Sequence, residues 1–167
     1  MEKTKKLVTA GLLAAVLVAS KYALDALPNI ELVSLLVILY TLEYPKLAAP
    51  AVYTYVLLYG ALNGFGLWWP PQLYLWAILM LLTHLARRNE QPLFWAVLSG
   101  IFGLCYGALY AVFWAVLNGA AAGLAYWVAG IPFDLLHAGG NFVAALLLFR
   151  PLRACLRRAK QAAGQGP

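Results

Sequence analysis

Asp134, His137 and Asn141 stand at i, i+3 and i+7 within an otherwise apolar stretch. On a helix that spacing puts a carboxylate, an imidazole and an amide on one face, where they could hydrogen-bond a polar ligand. The same three groups could instead satisfy one another and Lys21. Lys21 and Asp25 lie one turn apart as a candidate ion pair, which Glu31 or Asp134 could extend. Asn63 and Asn118 belong at similar depth. The other chemical resource is aromatic. Trp68, Trp69, Trp76, Trp114 and Trp127, five of the six tryptophans, gather with Tyr74 and Tyr126 on one side of the topology derived below, and only Trp95 lies on the other. An interfacial belt is two-sided, so the asymmetry points to rings that line a pocket for an aromatic or heterocyclic ligand. Simple anchoring at one membrane surface is the alternative for at least half of them. The candidate ligand-binding set is Asp134, His137, Asn141, Trp68, Trp69, Tyr74, Trp127, Asn63, Lys21, Asn29 and Glu31.

Catalytic chemistry finds little to work with. There is no paired-carboxylate motif, nucleophile elbow, phosphate loop or His-x-x-x-His pair. His84 and His137 differ in expected depth by roughly 10 Å, poor geometry for one haem. Cys105 and Cys155 have neither metal-ligand spacing nor plausible mutual reach. We therefore expect no enzyme, no cofactor and no metal. The net charge of +6 comes from basic residues at the ends of apolar runs, not from a stripe with interleaved aromatics, so nucleic acid is not an expected partner.

The elements that must position these residues follow from composition. With 64% apolar and 11% charged residues, the chain cannot cover itself with a soluble surface, which needs roughly a quarter charged. Lipid is the expected solvent, and the 167 residues suit one all-α domain of six transmembrane helices. The bounds expected are 1–155 for the six-helix membrane domain and 156–167 for a basic, frayed cytoplasmic tail.

Span one is expected over 7–27, read as an uncleaved helix although Lys3, Lys5 and Lys6 before an apolar run also resemble a signal peptide. Pro28 ends it. Asn29 is the expected N-cap of a short span two over 30–42, with Glu31 in its first turn. Span three runs over 47–67, and span four from Pro71 to Ala86. Span five covers 92–117, long enough to tilt or project. Residues 118–130, rich in Gly and Ala, read as an interfacial or re-entrant segment too short to cross, and span six follows over 132–152. With alternating sides from a cytoplasmic N-terminus, eleven of the twelve Lys and Arg fall inside, and Lys21 alone falls outside. Letting 118–130 cross would put the basic C-terminus outside, so six spans with both termini in are favoured over seven. No internal repeat supports an inverted-repeat carrier.

Small residues supply possible seams. Ala10 and Ala14 lie on one face of span one, with Gly11, Ala15 and Ala19 on an adjacent face. In lipid such faces let helices approach closely, either a partner's helix or another helix of this chain. The ladder Ser99, Gly103, Gly107, Ala111, Ala115, Gly119, Gly123 reads as mostly internal packing.

Four elements together carry a family resemblance: Ala10-x-x-x-Ala14; Leu27-Pro-Asn-Ile-Glu-Leu-Val-Ser34 running into Leu39-Tyr-Thr41; Gly64-Phe-Gly-Leu-Trp-Trp69; and Gly130-Ile-Pro-Phe-Asp-Leu-Leu-His137 with Asn141. With them the chain resembles, over nearly its whole length, the substrate-binding S components of energy-coupling factor (ECF) transporters, bacterial vitamin importers. The resemblance implies a plasma-membrane subunit that captures a vitamin or precursor outside the cell and joins a transmembrane T component driven by two cytoplasmic ATPases. It implies docking of the T component on Ala10 and Ala14, ligand held toward the outer face, and import by toppling of the loaded subunit. It reaches the broad folate, pantothenate and cobalamin grouping and assigns no single vitamin. The N-terminal histidine of the cobalt and nickel relatives is missing. A small self-contained transporter or a cofactor-binding membrane protein is the alternative.

Overall fold

The structure is a computed structural model that describes residues 2–164. Those residues form seven α-helices and no strand: α1 (Glu2–Ala23), α2 (Val33–Glu43), α3 (Ala48–Asn63), α4 (Pro70–Leu85), α5 (Pro92–Leu104), α6 (Tyr106–Asn118) and α7 (Ala120–Ala162). Large apolar side chains stand fully out from it on several helices, among them Leu7, Leu85, Val116 and Leu147. A water-soluble protein would bury such residues, whereas a bilayer accepts them. Three helical stretches are long and apolar enough to cross a membrane: 3–23, 92–118 and 120–162. The helices α2, α3 and α4 have 11, 16 and 16 residues, short of the roughly 20 that a perpendicular crossing needs.

The shortest of these is also the most enclosed. Ten of the eleven residues of α2 are buried, with Val37, Ile38, Leu39 and Tyr40 fully so, because α1, α3, α4 and α7 all pack against it. Apolar on every side, it is the kind of helix that belongs at a bundle's centre. Its start departs from the sequence expectation. Asn29 does not cap α2; its φ of 58° makes it the left-handed residue of the α1–α2 turn, a conformation Asn tolerates. The cap comes from Glu31, whose carboxylate accepts the Ser34 N–H at 2.9 and 3.1 Å. A negative charge there also complements the positive end of the helix dipole.

The second half of the chain is a long hairpin. The α5 and α6 helices are nearly one, since Cys105 donates its N–H to Ile101 and accepts from Leu109 across the break. Gly119, at φ 90°, then turns the chain within a single residue into α7. The segment expected to be interfacial, 118–130, is therefore the end of α6 and the first turns of α7. It is helical because Gly and Ala permit the close contact that the hairpin needs. A Cβ on Gly123 would collide with the Ala115 side chain and the Ala111 carbonyl, and one on Gly103 with the His137 backbone. The ladder of small residues thus packs internally, and Gly130-Ile-Pro lies inside a 43-residue helix, not at its start. That helix is about 65 Å long, twice the hydrocarbon thickness. The frayed tail expected from 156 is helical as far as Ala162; residues 165–167 of it lie outside those described.

The face of α1 expected to dock a partner is turned inward. Ala10 and Ala14 are 7% and 0% exposed, in line with the buried Leu13 and Leu17, and α1 packs mainly on α3. Gly11, Ala15 and Ala19 are the small residues that face out, and a Cβ on Gly11 would meet nothing.

Candidate functional site

One end of the bundle gathers cations. Glu43, at the end of α2, accepts hydrogen bonds from Arg153 Nε and, at 3.0 Å, from Arg157 Nε, while Arg153 also reaches Glu90 at 2.7 Å. Lys160 donates to the Glu43 carbonyl and Tyr44 to the Leu156 carbonyl. Burial alone would raise the Glu43 carboxyl above its ordinary value, but the two guanidinium groups bring it below. This end is a closed network that fastens α2, the α4–α5 loop and the far end of α7 together.

The opposite end holds two cavities. The smaller, about 130 Å³, is walled by Glu31, His137, Gln72 and the rings of Tyr55, Trp76 and Tyr106, with Lys21, Asn29 and Tyr59 at its margin. Its polar groups are organised. His137 Nε2 stands 3.3 Å from Glu31 Oε1, joining α7 to the start of α2. The side-chain amide of Gln72 bridges three rings: its Nε2 donates to the hydroxyls of Tyr106 (3.0 Å) and Tyr110, and its Oε1 accepts the Trp76 N–H at 2.7 Å. Tyr106 packs edge-on against His137 with centroids 4.7 Å apart.

The larger cavity, about 410 Å³, shares Asn29 and Tyr106 with the first and is completed by Tyr110, Tyr126, Phe133 and Asp134. Asp134 is 5% exposed. Its Oδ1 accepts the Gly107 N–H at 2.9 Å, whereas its Oδ2 has no hydrogen-bond partner among the described residues. Gly107 makes this seat, because a Cβ there would collide with both carboxylate oxygens.

The expected polar face of α7 is thus buried as one face, but its members diverge. Asp134 enters the larger cavity and His137 the smaller. Asn141 lines neither; its amide lies 3.4 Å from the Ser99 carbonyl and its Oδ1 has no partner among the described residues. Lys21 pairs with Asp25 at 3.9 Å, as its spacing suggested. The pair is not extended to Glu31, which binds His137 instead. Asn63 is outside the cavities, tying the end of α3 to the Tyr22 hydroxyl at 2.8 Å.

The expected aromatic lining is largely replaced. Trp69 folds back onto α3, donating to the Val56 carbonyl at 2.9 Å and packing edge-on against Phe65. Trp68 stands behind Tyr59, with centroids 5.4 Å apart. Tyr74 donates to the Leu109 carbonyl at 2.6 Å, bracing α4 against α6. Trp127 is 41% exposed on the outside of α7. None of the four lines either cavity. The rings that do are Tyr55, Tyr59, Trp76, Tyr106, Tyr110, Tyr126 and Phe133, mostly tyrosines, of which Tyr106 and Tyr110 share the Gln72 amide. Gln72, one helical turn before Trp76 in an apolar helix, was the available signal for them, because a buried amide in lipid demands partners.

No family model matches the chain, and comparison with curated proteins and with solved structures likewise found no match.

Proposed function

We propose that this chain is the substrate-capture S component of an ECF-type importer, a multi-pass subunit of a bacterial plasma membrane that binds a vitamin or vitamin precursor at its outer end. The observation that carries this reading is the pair of adjoining cavities at the end opposite the cationic network, walled by tyrosines and by the Glu31, His137, Gln72 and Asp134 side chains. Pockets of this kind, apolar rings with a few convergent polar groups, suit a small heterocyclic ligand. The positive-inside rule puts the end bearing Arg87, Arg88, Arg153 and Arg157 in the cytoplasm, and hence the cavities toward the exterior. Six crossings follow if α2, α3 and α4 traverse as a bundle with the longer helices, local thinning accommodating their length. The subunit performs no chemistry itself; transport energy comes from two ATPases acting through a T component.

In this reading the T component docks on the outward stripe Gly11, Ala15 and Ala19, because Ala10 and Ala14 are occupied within the bundle. The test is co-expression of the tagged chain with its genomic neighbours and with a T component and two ATPases of an ECF transporter, followed by affinity purification from mild detergent. A stoichiometric four-subunit complex is the expected result. Recovery of the tagged chain alone, under conditions where the T component and ATPases are themselves made and assembled, would contradict the proposal.

A further inference from the structure

The larger cavity carries information about the ligand's charge. Asp134 is nineteen-twentieths buried within a helix that crosses the hydrocarbon, and it lines this cavity. Only half of its carboxylate is provided for, since Gly107 donates to Oδ1 and nothing among the described residues donates to Oδ2. A buried carboxylate left without a counter-charge is costly, and such groups in membrane proteins are paired or mark a substrate site. The charged groups nearby are committed elsewhere. His137 is turned to Glu31, and Lys21, at the margin of the smaller cavity, pairs with Asp25. The remaining walls are the rings of Tyr106, Tyr110, Tyr126 and Phe133, whose faces are electron-rich and favour a cation.

We infer that the ligand presents a positively charged, N–H-bearing nitrogen to Asp134 Oδ2 and lays an adjoining flat ring among these aromatic side chains. Resting on the capture function proposed above, this assigns the substrate class: a protonated amine or amidine of a heteroaromatic compound, not an anionic or neutral one. Gly107 is the positioning residue, because its missing side chain lets the carboxylate lie against the helix backbone with one oxygen held and the other presented. One charge-assisted hydrogen bond of this kind, formed away from water, corresponds to roughly tenfold or more in affinity.

The test uses matched probes on the full chain in phosphatidylcholine nanodiscs, with empty nanodiscs as the partition control. Tryptamine is compared with tryptophol, and 4-(aminomethyl)pyridine is compared with 4-pyridinemethanol, so that within each pair an ammonium replaces a hydroxyl. The ammonium member of at least one pair is expected to bind ten or more times tighter. In Asp134→Asn that preference should fall below twofold, with the hydroxyl member's affinity changed less than twofold. Gly107→Ala, which displaces the carboxylate from its seat, should reduce the preference in a protein that remains monodisperse and helical. Equal or tighter binding of the hydroxyl members, no binding of either ammonium member, or a preference that survives Asp134→Asn would each overturn the inference. Loss of the preference in a protein that still assembles with its T component and ATPases removes only this assignment. A preserved preference without assembly removes the importer reading and leaves the cation site standing.

Discussion

The two ends of the bundle handle buried polar groups in opposite ways. At the cationic end Glu43 meets Arg153 and Arg157, Arg153 also meets Glu90, and the network closes on itself. Toward the aromatic end the polar groups are incompletely matched: among the described residues Asp134 Oδ2, Asn141 Oδ1, Ser34 Oγ and Ser99 Oγ have no partner, and the larger cavity lies beside the first of them. A closed network fastens helices, whereas an open one leaves bonds for something else to make. Under the proposed function the contrast separates a stabilising end from a binding end, and substitutions at the two should therefore fail differently.

The largest effect on stability is expected from Arg153→Met, which leaves the buried Glu43 with Arg157 as its remaining guanidinium partner and releases Glu90. Loss of one partner from a buried pair costs roughly 3 kcal/mol, to be read as a lower midpoint of thermal unfolding in nanodiscs, with ligand retention unchanged at low temperature. Asp134→Asn, a near-isosteric change at a carboxylate with one unpartnered oxygen, should show the reverse pattern, at least tenfold weaker ligand binding with little change in unfolding midpoint. A matching loss of stability in both variants would erase the distinction between the ends.

Next come the two faces of α1. Ala14→Leu must overfill a fully buried position and should destabilise the fold by about 1–3 kcal/mol. Ala15→Leu, on the outward face, should leave the unfolding midpoint and ligand capture within error while sharply reducing uptake by the assembled transporter. Normal uptake with Ala15→Leu would remove the outward stripe from the docking interface.

A smaller effect is expected from acid. The Glu43 carboxyl is held below its ordinary value in the folded protein, so its contribution is complete above the range in which an unfolded glutamate titrates and is lost as the pH falls through the lower, folded value. Wild-type protein should therefore lose stability between about pH 5 and pH 3, and Glu43→Gln should flatten that dependence; an identical acid profile in the variant would contradict the assignment. The smallest change belongs to Asn63→Ala, which removes an exposed bond to Tyr22 at the aromatic end and should cost about 0.5–1 kcal/mol by thermal unfolding, with no effect on binding.

Much of the helical layout was legible in the sequence, because prolines, glycines and basic pairs punctuate apolar runs. The bounds of span four and of the α5–α6 stretch lie within a residue or two of those expected, since Pro70, Pro71, Pro92 and the pair Arg87-Arg88 leave little choice. The helical state of 118–130 is not legible in the sequence, because Gly and Ala carry no periodic signal and the helix depends on contact with α6, which composition alone does not encode. On the polar face of α7 the residues could be identified but not their partners. Spacing placed Asp134 and His137 together, yet the pairing of His137 with Glu31 spans 106 positions and is set by how α2 sits in the bundle. The tryptophans misled for a related reason. Indole amphipathicity locates a ring near the interface, while the fold of the Gly64–Trp69 turn decides that Trp69 points back into α3. The inward turn of Ala10 and Ala14 likewise could not be read from a repeat that appears equally on the neighbouring face.

The division between a fastening end and a binding end is tested most directly by mass spectrometry of the small molecule that stays with gently purified protein. Wild type and Arg153→Met should each retain one compound at near one-to-one ratio, and Asp134→Asn should retain little. Preparations of wild type that carry nothing beyond lipid and detergent, or equal retention by wild type and Asp134→Asn, would contradict it.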